Sequence, residues 1–332
     1  DLRELPFRVK PIPGIAVKTS HETQVCLNPT LFFSAARHRP DVIICGGYNL
    51  SSLAAMAYAR VFQRHYAIWT ESTHTTEQGI SRAKARLRKL LMDRACAFVD
   101  AGTDSRRYVE SFLPVNHSKT FFRAYNCIDV SLFDPEREVD NPFAGRDMPE
   151  KKILFVGRLN ERKGIRQLLE AYRQAVESGV QAALVMIGEG HLEGEVHEFA
   201  RQHGLNNIHL EGWKKNDQIA GYYQHCNVFA LLSLKDPNPL VIFEALTSGI
   251  PIICTDRAGN AGDFIEPGEN GYIVDPTDSD LVSSRLIEIL SWDEEKVASA
   301  SKRAREMGAR ANYQDAARAF VQACRHCLGE SL

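Results

Sequence analysis

The chain has 332 residues, 44% of them hydrophobic and 25% charged, a balance that excludes a disordered segment, a coiled coil or a disulfide-stapled scaffold and is long enough for two cores. Its formal net charge of −2 carries no nucleic-acid signature. No apolar run approaches the roughly 18 residues that a membrane span needs, and DLRELPFRVK shows no apolar signal-peptide core.

The eight cysteines are scattered, several of them in apolar runs such as DVIICGG and PIICTD, which is the pattern of reduced, buried thiols in a cytoplasmic protein. Cys324 and Cys327 lie close together, short of the four ligands of a structural zinc, so helix packing is the simpler reading.

Short apolar runs alternate with amphipathic segments. DVIICGG, YAIWT, TFFRAYN, KILFVG, AALVMIG, NIHLEG, NVFALLS and PIICT mostly lack the alternation of a half-exposed strand, which predicts strands buried on both faces of parallel sheets. RPDVIICGGYNLSSLAAMAYAR reads as strand, turn and helix, with Gly46 and Gly47 open to close approach. After YAIWT, the loop ESTHTTEQG carries Glu71, Thr73 and His74 beyond a strand end. In SRAKARLRKLLMDRA, Arg82, Lys84, Arg86, Arg88 and Lys89 stand against a stripe of Leu87, Leu90 and Leu91. A core-facing helix with a solvated cationic face is the simpler reading; peripheral membrane contact through residues 82–94 is the alternative.

Residues 134–151, rich in Pro, Asp and Glu, read as a linker between two α/β domains. The expected division is 1–140, 141–310 and a C-terminal helix, 311–332, that crosses back to the first domain.

In ILFVGRLNERKG the strand ends at Gly157 and the next helix begins near Gly164. Arg158 and Lys163 therefore stand beyond a strand's C-terminal end, where α/β sheets collect ligands, although two ordinary surface cations would look the same. GIRQLLEAYRQAVESG and LEGEVHEFARQHG predict helices. In KDPNPLVIFEALTSGIPII, Asn238 reads as a helix cap and Pro239 as the first helical residue, which leaves the N–H groups of Leu240 and Val241 free. Asp236 precedes this helix and Glu244 lies just over one turn into it. Two cations, a helix N-terminus and two carboxylates suit an anionic diphosphate joined to a polyhydroxylated sugar. Asp278-Ser279-Asp280 imitates an Asp-x-Asp metal motif, but its place before LVSSRLIEIL makes capping the simpler account, and no metal site is expected.

GRLNERKG, IGEGHLE, EGWKKND, DPNPLVIFEALTSGIPII and DRAGNAGDFIEPGENGYIVDPTD occur in this order, preceded by AYNCIDVSLFDPE. Over about residues 120–290 they resemble the donor half of retaining glycosyltransferases of the GT-B fold, glycosyltransferase family 4. The resemblance implies an α/β fold of two Rossmann-like domains facing across a cleft. The first is expected to be incomplete, N-terminally truncated, because the family's opening strand and Gly-rich loop have no counterpart before PFRVKPIPG.

By the same resemblance, Arg158 and Lys163 hold the diphosphate of a nucleotide-sugar, and Glu244 binds the ribose. Asp236 takes the place of the family's first glutamate, on the donor sugar. Leu240 and Val241 offer N–H groups to phosphate, with Gly157 and Asn238 beside them, while Gly188, Gly212 and Trp213 line the nucleotide pocket. Either Glu71 or His74 takes the place of the family's histidine near the donor sugar. Asp for Glu at 236 bears on sugar identity, and Pro for Gly at 239 removes one N–H.

The implied activity is retaining and metal-independent, with no cofactor. A sugar passes from a nucleotide diphosphate donor of the UDP-sugar kind to a hydroxyl of a glycan, glycolipid or small-molecule acceptor, in glycan, polysaccharide or glycolipid synthesis. A non-catalytic nucleotide-sugar-binding protein and a GT-B phosphorylase are the alternatives.

Overall fold

The computed structural model describes residues 9, 11–18, 24–28 and 30–330. Most of DLRELPFRVK, where the first domain is expected to open short of its first block, and the side chain of Cys26 lie outside the described residues.

Strands β1 (Ile15–Lys18) and β2 (Gln24–Leu27) pair antiparallel, and helix α1 (Leu31–His38) follows. Then β3 (Val42–Gly46), β4 (His65–Thr70), β5 (Ala97–Asp100) and β6 (Thr120–Arg123) form a parallel sheet in that order. Helices α2 (Leu50–Phe62), α3 (Arg82–Arg94) and α4 (Thr103–Glu110) make the crossovers.

The second sheet contains β7 (Lys151–Val156), β8 (Ala182–Ile187), β9 (Ile208–Gly212), β10 (Val228–Leu231), β11 (Ile252–Thr255) and β12 (Gly271–Val274), all parallel in the order β12-β11-β10-β7-β8-β9. Its helices are α5 (Ile165–Glu177), α6 (Glu193–Gln202), α7 (Asn216–His225), α8 (Leu240–Ser248), α9 (Ala261–Phe264), α10 (Ser279–Leu290) and α11 (Glu294–Gly308). The chain enters at β7, builds outward through β8 and β9, then returns to build β10, β11 and β12 on the other side. Strand order thus reverses between β7 and β10, and the loops after these two strands open a crevice at their carboxyl ends.

Each of the eight apolar runs contains a strand. Every residue of β8, AALVMI, is buried, as a strand covered by helices on both faces must be. β5 and β12 form from AFVD and GYIV, pieces too short to stand out as runs. The polar stretch before β7 is pinned by aromatics. Phe133 at its start and Phe143 within it are buried, with ring centroids 5.7 and 5.5 Å from Tyr223 and Tyr222, so packing outweighs local composition.

Helix α3 turns Leu91 and Met92 into the core. Arg88, read as part of a solvated cationic face, is buried instead, where it donates to Glu77 Oε2 at 2.7 Å and to the Tyr108 hydroxyl. Among the described residues no helix is long and apolar enough to cross a membrane.

The last helix, α12 (Tyr313–Leu328), packs on the first sheet, where Ala319, Ala323 and Cys327 share a cluster with Val99, Phe122 and Ala124. The two sheets also meet through a borrowed helix cap. Gly102 has no side chain to cap α4, so the Thr103 N–H donates to Asp263 Oδ2 at 2.7 Å from the other half of the molecule. Beside it the Tyr125 ring meets Phe264 edge-on with centroids 4.6 Å apart.

Candidate functional site

A cavity of about 1230 Å³ lies at the carboxyl ends of β7 and β8, at the switch in strand order. Its lining includes Gly157 and Arg158 after β7, Gly188 after β8, Trp213 after β9, and Val241 and Glu244 of α8. These were separate motifs along the chain, and the fold brings them around one space.

Arg158 is exposed and forms no ion pair among the described residues. Helix α8 starts without a side-chain cap, at Pro239. The first backbone bond at this end is Ile242 N–H to the Pro239 carbonyl, 3.2 Å, and the N–H groups of Leu240 and Val241 have no partner among the described residues. An exposed guanidinium and the first turn of an uncapped helix that line one cavity can together hold an anion.

Glu244 is 8% exposed and accepts from the Tyr223 hydroxyl at 3.0 Å. Burial raises its carboxyl from 4.5 to about 7, opposed by the Tyr223 hydrogen bond. The ionised carboxylate is penalised in the folded chain, so this residue costs stability above pH 7, less as pH falls, and nothing below about 4.5. Glu244→Gln is therefore expected to stabilise the ligand-free protein by about 3 kcal/mol at pH 8, shrinking to roughly 1 kcal/mol at pH 5.5. Urea unfolding at both pH values measures it; an equal gain at both would contradict the buried, titrating carboxylate.

Lys163, Asp236, Asn238, Leu240 and Gly212 stand outside the cavity's lining. The Lys163 ammonium forms an ion pair with Asp236 Oδ2, so these two expected ligand contacts neutralise each other. Gly212 contributes its carbonyl, accepting from Gly188 N–H at 2.9 Å.

Asn238 is not the cap expected of it. Its Oδ1 accepts from Asn260 Nδ2 at 2.6 Å, and Pro239 takes the cap position rather than the first helical one, because its ψ of 113° is extended. The buried Nδ2 of Asn238 has no partner among the described residues. Asp278 caps α10 by accepting from Leu281 N–H at 3.0 Å, and Asp280 accepts from Gln174 Nε2 at 3.0 Å.

A second cavity, about 430 Å³, lies between the halves, with Gly46, Gly47, Glu71 and Glu77 on one side and Arg162, Lys235 and Pro237 on the other. Glu71 lines it and accepts from Asn126 Nδ2 at 2.6 Å. His74 lines neither cavity and stacks edge-on against Tyr108 at 5.2 Å. Of the two residues left open by the sequence, the structure brings only Glu71 to the space between the halves.

Sequence reasoning missed Glu189, His191, Lys214 and Asn216, which line the larger cavity. They stand inside IGEGHLE and EGWKKND, so the signal was present in the motifs. Tyr223 had no such signal, because it reaches Glu244 from the buried face of α7.

The structure matches sucrose-phosphate synthase from Thermosynechococcus elongatus at a TM-score of 0.72 and 20% identity, covering 97% of this chain and 87% of that one. It also matches Anabaena Alr3699/HepE, solved in complex with UDP and glucose, at a TM-score of 0.72 and 17% identity, covering 89% and 81%. These likenesses show the GT-B fold. A protein named as a colanic acid biosynthesis glycosyltransferase, WcaL of Escherichia coli K12, is 28% identical over 186 residues; the match takes in 54% of this chain but 44% of WcaL's own length. The family model described as glycosyl transferases group 1 matches residues 136–307, more than half of the chain and the whole of the cavity-bearing sheet. The chain belongs to the glycosyl transferases group 1 family.

Proposed function

We propose that this chain transfers a sugar, with retention and without a metal, from a nucleoside diphosphate sugar to an acceptor hydroxyl, as a family 4 enzyme of glycan, polysaccharide or glycolipid synthesis. The observation that carries this reading is the convergence of Arg158, Val241 in the uncapped first turn of α8, and Glu244 on one cavity.

In this reading the diphosphate lies between Arg158 and the α8 N-terminus, which stabilise the charge that develops as the nucleoside diphosphate leaves. Glu244, as a carboxylate, accepts hydrogen bonds from the ribose hydroxyls. The Lys163–Asp236 pair opens to meet the leaving phosphate and the sugar, and the acceptor enters between the halves beside Glu71. Exposed Arg82, Lys84, Arg86 and Lys89 form the face that would meet an anionic membrane carrying a lipid-linked acceptor.

Thermal unfolding with a panel of nucleotides tests the reading. UDP is expected to raise the melting temperature, since a ligand present at 100 times its dissociation constant adds about 2.7 kcal/mol of stability. The shift should shrink in Arg158→Ala and, because binding favours ionised Glu244, grow as pH rises through 7. Orthophosphate acting where UDP does not would support a phosphorylase instead. Binding of UDP-sugars with neither hydrolysis nor transfer would leave a binding protein.

A further inference from the structure

We infer that a cavity at the rear of the second sheet, beside the C-terminal end of α8, is a binding site for a small organic phosphomonoester. The inference is independent of the transferase reading, which puts its diphosphate at the opposite end of that helix.

This third cavity, of about 430 Å³, lies where β7 and β11 begin, and its lining includes Lys151, Ser248, Gly249, Val297, Ser301 and Arg305 but no carboxylate. The larger cavity opens instead at the carboxyl ends of the strands. Val241 and Glu244 of α8 line that one, and the last residue and the C-cap of the same helix line this one.

Local structure explains the walls. On α11, Val297, Ser301 and Arg305 recur every four residues and so share one face. Gly249 ends α8 with a φ of 77°, and a Cβ there would lie 2.7 Å from Arg305 Nη1. The missing side chain thus leaves room for the guanidinium against the helix end, where a cation complements the helix dipole. That role accounts for Arg305 alone. Lys151, at the first position of β7, adds a second charge. Neither cation has an ion pair or a side-chain hydrogen bond among the described residues.

The Ser248 hydroxyl is buried and has no partner among the described residues, a state that costs free energy until a water or a ligand completes it. The Ser301 hydroxyl has none either. Gln224 and Asn227, also at this cavity, are already engaged. Gln224 Nε2 donates to the carbonyls of Asp134 at 3.1 Å and Arg137 at 3.2 Å, and Asn227 Oδ1 accepts from Lys152 N–H at 2.8 Å. Two cations and two hydroxyls therefore remain as donors, with no carboxylate to compete. A phosphoryl group, rich in acceptor oxygens and doubly charged, meets that set. A neutral sugar would leave both cations uncompensated. The volume is in the range of small-molecule sites and larger than orthophosphate alone needs, which leaves room for the organic part of an ester.

Calorimetric titration of the whole chain carrying Arg158→Ala, which weakens anion binding in the larger cavity, tests the site at constant ionic strength. The probes are glucose 1-phosphate, orthophosphate and glucose. Glucose 1-phosphate is expected to bind more tightly than orthophosphate, and glucose not at all. Lys151→Gln and Arg305→Gln should each weaken glucose 1-phosphate by roughly fivefold, the loss of one close charge contact, whereas Arg305→Lys should stay within about twofold of its parent. The lysine variant separates loss of charge from loss of packing. Orthophosphate binding as tightly as the ester overturns the organic part of the assignment. Glucose binding as tightly as its phosphate, no binding of either phosphate at millimolar concentration, or binding unchanged in Lys151→Gln and Arg305→Gln overturns the site.

Discussion

Arg158→Ala is expected to lower turnover of a nucleotide-sugar by roughly 100- to 1,000-fold, the cost of removing one preorganised group from a developing anion, while leaving the unfolding midpoint unchanged. The second half of this expectation follows from exposure and the absence of an ion pair to the guanidinium among the described residues. Lys163→Ala separates from it. Lys163 compensates Asp236, whose side chain is 11% exposed, so its loss leaves a nearly buried carboxylate alone. That variant should lose turnover and also about 1–3 kcal/mol of stability. Steady-state kinetics beside urea unfolding distinguish the two. Turnover within twofold of wild type in Arg158→Ala would remove the diphosphate role.

A large stability effect is expected at Gly188. Its φ is 130°, and an added Cβ would sit 1.9 Å from the Gly157 carbonyl oxygen. Both atoms belong to backbone that the sheet holds in place, since Gly157 N–H donates to the Ile187 carbonyl at 2.9 Å and Gly188 N–H to that of Gly212. Gly188→Ala must therefore push apart the ends of β7 and β8, beneath the cavity, and should cost more than about 4 kcal/mol. Gly194→Ala is the control. It lies in α6 with nothing within 4 Å of an added Cβ, and should be neutral or stabilising by up to about 1 kcal/mol. A Gly188→Ala protein with a wild-type unfolding midpoint would show that the two strand ends can separate freely.

These two residues show how differently parts of the site could be read. Arg158 was legible as a candidate because it follows a strand-length apolar run, and a strand's end is where parallel sheets bind. Gly188 was legible only as one glycine in a motif; its necessity comes from a second backbone, 31 residues earlier, crossing over it. Asn238 failed as a cap because a tertiary partner, Asn260, claims its side chain. Lys163 and Asp236 were each assigned to a ligand because nothing along the chain tells that, 73 residues apart, they meet. Glu71 and His74 could not be separated because three residues of loop can turn either side chain inward.

By itself the chain's pattern determined the parallel α/β class, the strands of both sheets that come from long apolar runs, and the set of charged residues near strand ends. Those follow from local rules, since burial on both faces writes itself into consecutive residues. Only the tertiary structure decided that Tyr223 would sit against Glu244, that Asp263 would cap a helix of the other half, and that Arg88 would be internal. Each is a contact between segments far apart in sequence, and its energy depends on desolvation and distance, quantities that exist only after the chain has closed on itself.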